Sequence, residues 1–177
     1  MNRFALVLSG ALLACDESGR AVPSSPVNAL GVYEAAVQQI APRQGGTGVA
    51  VLRDSTLDLT THRRFPTAAA WAWAVDAAPV EYQAAMRTLL ANTAPAGPMP
   101  RALRLPELLG WNSGHQANDS LKQWHFSNVG IGADSTRAAV YVSSICGPLC
   151  GGGSFHFYRR DSAGIWHSEG ALPVESS

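Results

Sequence analysis

The chain has 177 residues, 15% of them charged, and its 13 basic side chains balance 13 acidic ones to a net charge of zero. With no basic run longer than the adjacent pairs Arg63-Arg64 and Arg159-Arg160, nucleic acid is excluded as a partner because the electrostatic footprint is missing. At 46% hydrophobic residues, the chain can bury one core of ordinary size without needing a staple.

The first fifteen residues divide into three parts. Asn2 and Arg3 form a minimal positive start, Phe4 to Leu13 is apolar apart from Ser9 and Gly10, and Ala14-Cys15 closes the run. About 10 apolar residues are too few to span about 30 Å of hydrocarbon, so the segment reads as an export signal. The ending Leu12-Leu13-Ala14-Cys15 resembles the lipobox of bacterial lipoproteins. That resemblance implies acylation of the Cys15 thiol, removal of residues 1–14 as a signal peptide, and a cell-envelope protein held to a membrane by its lipid. Two or three acyl chains anchor stably where one is marginal. Residues 15–26, rich in Ser and Pro, then read as a flexible tether, and 27–177 as a single globular domain.

Ser25-Pro26 supplies a helix cap and first position, and Leu30, Tyr33, Val37 and Ile40 recur at helical spacing over 27–41. Pro42 and Gly45-Gly46 end that helix, and residues 47–53 read as a strand. Residues 62–76 are ambiguous, because Trp71 and Trp73 have the spacing of one strand face while alanines surround them. Asp76 and Pro79 can open a second helix with Tyr82, Met86, Leu89 and Leu90 inward. Residues 100–111 have room for one more short helix.

The last third is strand-rich. Residues 124–132, 137–145, 154–160 and 165–168 read as four strands joined by short turns, which makes an antiparallel meander. Helices first and strands later give an α+β domain, with about two main helices packed on one sheet face. Alternation assigns Ala138, Val140, Val142, Phe155 and Phe157 to the core face. It assigns Tyr141, His156, Tyr158 and Trp166 to the other, an aromatic face with polar tips suited to contact a ligand or an envelope protein.

Cys146 and Cys150 remain once Cys15 carries lipid, and an even pair in an oxidising compartment favours a structural disulfide. Residues 129–134, the strand to Tyr141, the corner Cys146-Gly-Pro-Leu-Cys150-Gly-Gly-Gly153 and the ending Gly164-Ile165-Trp166 resemble a family of uncharacterised bacterial secreted or lipid-anchored proteins. The family implies no activity. His125, His156 and His167 with the two cysteines are spread over three strands without zinc spacing, so no metal and no cofactor is assigned. Gly151 to Gly153 lack the Lys-Ser/Thr that follows a phosphate loop and read as a bulge or unusual backbone beside the disulfide. No coherent acid, base and nucleophile appear, so no catalytic residue is assigned. The functional expectation is a non-catalytic envelope lipoprotein that binds a ligand or protein. A cysteine/histidine hydrolase or thiol-redox enzyme is the alternative.

Overall fold

The computed structural model describes residues 26–41, 50–59, 68–92, 96–107, 109–112, 122–146 and 150–176. The export signal, Cys15 and most of the tether lie outside the described residues. Among those described, no helix is long and apolar enough to cross a membrane.

Helix α1 (Pro26–Ile40) leads to strand β1 (Ala50–Arg53), and α2 (Ala68–Ala77) is followed by a 3-10 turn (Val80–Tyr82) that runs into α3 (Gln83–Ala91). Strands β2 (Leu109–Asn112), β3 (Lys122–Ile131), β4 (Arg137–Ile145), β5 (Gly151–Arg160) and β6 (Trp166–Ser176) complete the chain. The sheet order is β2-β1-β3-β4-β5-β6. β3 to β6 form the expected antiparallel meander, and β1 lies parallel to both β2 and β3. A parallel pair needs a long crossover, and α2 and α3 supply it between β1 and β2.

The α+β class holds, but the helices cover both sheet faces rather than one. On one face α1 buries Val32, Tyr33, Ala36, Val37 and Ile40 against Phe126, Val140, Val142, Tyr158 and Trp166. On the other, α2, the 3-10 turn and α3 bury Trp71, Ala74, Tyr82, Met86 and Leu89 against Ala139, Tyr141, Phe155 and Phe157. Gly130 allows the second contact to be this close: a Cβ there would overlap the backbone of α3 at Ala85 and Leu89.

The face assignment of the β4–β5 hairpin is corrected. Val140 pairs with His156 and Tyr141 with Phe155, so Phe155 and Phe157 share the face of Tyr141, not that of Val140 and Val142. A slip of one residue in register exchanges faces in this way. The hairpin closes with Ile145 opposite Gly151, which sets even-numbered residues of one strand against even-numbered residues of the other.

Three elements differ from the sequence expectation. Residues 68–77 are helical because an alanine-rich run favours helix; Trp71 points inward at 2% exposure and Trp73 outward at 43%. The stretch before Trp111 forms turns and then β2, since Pro106 interrupts the interior of a helix over that length. Gly151 to Gly153 belong to β5 and have no positive φ. Gly153 instead leaves room for the Tyr141 hydroxyl, which a Cβ would overlap, and the expected bulge is not in the glycine run: the extra residue beside it is Val174 of β6, between the Gly153–Glu175 and Ser154–Pro173 pairs.

Candidate functional site

The four residues expected to form one aromatic recognition face do not do so. Tyr141 lies on the α2–α3 side, within 5.6 Å of Trp71 and 5.2 Å of Phe155 between ring centroids. His156, Tyr158 and Trp166 lie on the α1 side. All four are buried, at 0%, 3%, 0% and 7% exposure for Tyr141, His156, Tyr158 and Trp166. Trp166 sits on α1 at Gly31, where a Cβ would meet its Cδ1 at 2.8 Å. These side chains form two core layers, and the face is withdrawn as a contact surface.

Cys146 and Cys150 stand at disulfide distance across the end of the β4–β5 hairpin, with Cα atoms 5.1 Å apart. The Cys146 N–H also donates to the Cys150 carbonyl at 3.0 Å. A cross-linked pair offers no thiolate nucleophile in this form.

A concavity of about 430 Å³ lies between the turns at 134–136 and 160–164. Its carboxylates already hold those turns. Asp134 accepts the Thr136 N–H at 3.0 Å, and Asp161 accepts the N–H groups of Ala163 and Ile165 at 2.9 Å and pairs with His167 at 2.8 Å. These bonds hold both carboxyls below their usual range, the largest cause being the Thr136 hydroxyl for Asp134 and His167 for Asp161.

A second cleft, of about 280 Å³, opens between the turn at Pro79–Tyr82 and β6, with Ala77, Glu81, Glu169 and Leu172 in its walls. Its geometry comes from a β-bulge. Pairing steps from Phe157–Gly170 to Tyr158–Ser168, which leaves Glu169 as the extra residue of β6. A bulge re-aims its side chain, and the Glu169 carboxylate turns to Tyr82, whose hydroxyl donates to Oε2 at 2.5 Å. Arg159 pairs with Oε1, and the Arg137 guanidinium lies over the Tyr82 ring at 5.6 Å. Burial pushes the Tyr82 phenol up, and the Glu169 hydrogen bond adds to it. The Tyr82 hydroxyl, and then Arg159, hold Glu169 below the usual carboxylate range. A carboxylate offers about four lone-pair positions, so Glu169 and the exposed Glu81 keep acceptor capacity toward the cleft.

A third polar group links α1 to β5. His156 lies between Ser154 and Gln39, and Tyr158 donates to Gln39 as well. Sequence reading placed His156 and Tyr158 on one face correctly but missed Ser154, Gln39, Tyr82 and Glu169. The signal for Ser154 was present, since Ser-x-His on a strand puts both side chains on one side. No local signal marks Glu169, because a bulge depends on strand pairing. Among the described residues no group of three potential ligands is placed to hold a metal. The chain matches no known protein-family model, no curated protein and no solved structure.

Proposed function

We propose that this chain is a lipid-anchored domain of the bacterial cell envelope that recognises a small ligand, or one side chain of a partner protein, without using its cysteines for chemistry. The apolar start ending at Cys15 and its resemblance to a lipobox support the anchor. The observation that carries the recognition reading is the Tyr82–Glu169 cleft. Its volume of about 280 Å³ lies at the lower edge of ligand pockets, which start at about 300 Å³, and suits a short molecule or a single side chain. Its apolar walls with two carboxylates favour a hydrogen-bond donor, an amine or a hydroxyl, on a short carbon stem.

Two measurements on the full-length protein test this. Intact mass and detergent partitioning of Cys15→Ala against wild type should show loss of residues 1–14 and of the lipid-dependent phase only in wild type. Thermal melting in detergent should rise with millimolar propylamine or ethanolamine, stay level with propionate, and stay level for Glu169→Gln with all three. Equal partitioning with Met1 retained removes the anchor; equal response to amine and propionate removes the recognition reading.

A further inference from the structure

Ser154, His156 and Tyr158 alternate along β5 and so share the α1 face, where Gln39 of α1 meets them. Ser154 Oγ stands 2.8 Å from His156 Nε2, and Nδ1 of the same ring stands 3.0 Å from Gln39 Oε1. The Tyr158 hydroxyl donates to that same Oε1 at 2.8 Å. An amide oxygen only accepts, so Nδ1 carries the ring proton, Nε2 presents its lone pair, and Ser154 donates to it. A hydroxyl aimed at an unprotonated imidazole nitrogen, with the ring held from behind by an acceptor, is the arrangement that activates serine.

The surroundings fit that chemistry. His156 is 3% exposed while Ser154 is half-buried, so the base is shielded and the hydroxyl lies nearer the surface. Ser154 shares its cross-strand row with the buried Val142 and Phe126. The next row toward the disulfide holds Trp124, Ser144 and Gly152. Trp124 is 8% exposed, and its indole N–H has no acceptor among the described residues.

We propose that Ser154 is an acyl-accepting nucleophile with His156 as its general base and Gln39 and Tyr158 as positioning residues, acting on carboxylic esters. Ser154 Oγ bonds to the acyl carbon as its proton passes to His156 Nε2. The acyl–alkoxy bond breaks, and His156 returns that proton to the leaving alcohol. Water, giving a proton to Nε2, then attacks the acyl-serine, and the proton restores the Ser154 hydroxyl as the acid leaves. This site lies apart from the Tyr82 cleft and does not depend on the recognition reading.

The test is labelling of the full-length protein with a serine-directed fluorophosphonate, read by intact mass and peptide mapping. One adduct is expected on Ser154, forming about 100-fold faster than on the urea-unfolded chain, the scale of general-base assistance. Its rate should fall as acid protonates the imidazole. Ser154→Ala should take no label; Gln39→Leu should label slowly, and Gln39→Glu, which keeps an acceptor behind Nδ1, should restore the rate. Folded wild type, verified by near-ultraviolet circular dichroism, that takes no label, labels at the unfolded rate or labels on another serine overturns the proposal. Full labelling in Gln39→Leu overturns the positioning role.

Discussion

Glu169 shows how one side chain acquires a partner that its sequence position does not announce. Strict alternation would turn it away from Tyr82, and the bulge turns it back. A hydrogen bond to a charged group is worth about 1.5–3 kcal/mol when shielded. Glu169 is solvent-exposed, so Tyr82→Phe should cost only about 1 kcal/mol, measured by urea unfolding at pH 7. The Glu169 carboxyl titrates lower in the folded chain than its ordinary value of 4.5. Its contribution is therefore present above that value and is lost as the pH falls through the lower folded one. The stability difference between wild type and Tyr82→Phe should shrink on acidification below about pH 4.5; a difference that grows there would show that the bond does not depend on the ionised carboxylate. His156 illustrates a different limit on reading residues. Its alternation with Tyr158 was visible, but grouping both with Tyr141 required the β4–β5 register. The cysteine pair held that information, because a five-residue corner from Cys146 to Cys150 already fixes which parity faces which.

Among the elements, α1, α3 and the four meander strands were legible from period, caps and turns. The 68–77 segment was not. Trp71 and Trp73 imitate a strand face, and only packing shows that Trp71, Ala74, Val75 and Ala78 form the buried stripe of a helix. Trp71→Ala should cost about 3–5 kcal/mol, whereas Trp73→Ala should stay within about 0.5 kcal/mol; comparable losses would restore the strand reading. The parallel pairing of β1 with β2 and β3 was also hidden. It joins residues far apart in the chain, and no local pattern records which distant strand a short apolar run will choose. Helices on both faces follow from the same register: with Tyr141, Phe155 and Phe157 on one side and Val140, Val142 and Tyr158 on the other, each sheet face is apolar and needs its own cover.

For the whole molecule, the disulfide is a minor contributor to stability. It closes a corner already held by the Cys146–Cys150 backbone bond and the Ile145–Gly151 pair. Cys146→Ser with Cys150→Ser should therefore fold, with a loss of about 1–3 kcal/mol by chemical denaturation; failure to fold would make the corner essential to the sheet. The larger claim is that recognition resides where β6 bulges against the Pro79–Tyr82 turn, and not on the aromatic residues that drew attention in the sequence. Amide chemical shifts of isotopically labelled full-length protein, followed during titration with ethanolamine, test it most directly. The account predicts movements concentrated at residues 80–82 and 169–172 that disappear in Glu169→Gln; shifts confined to other parts of the domain, or none at millimolar probe, would contradict it.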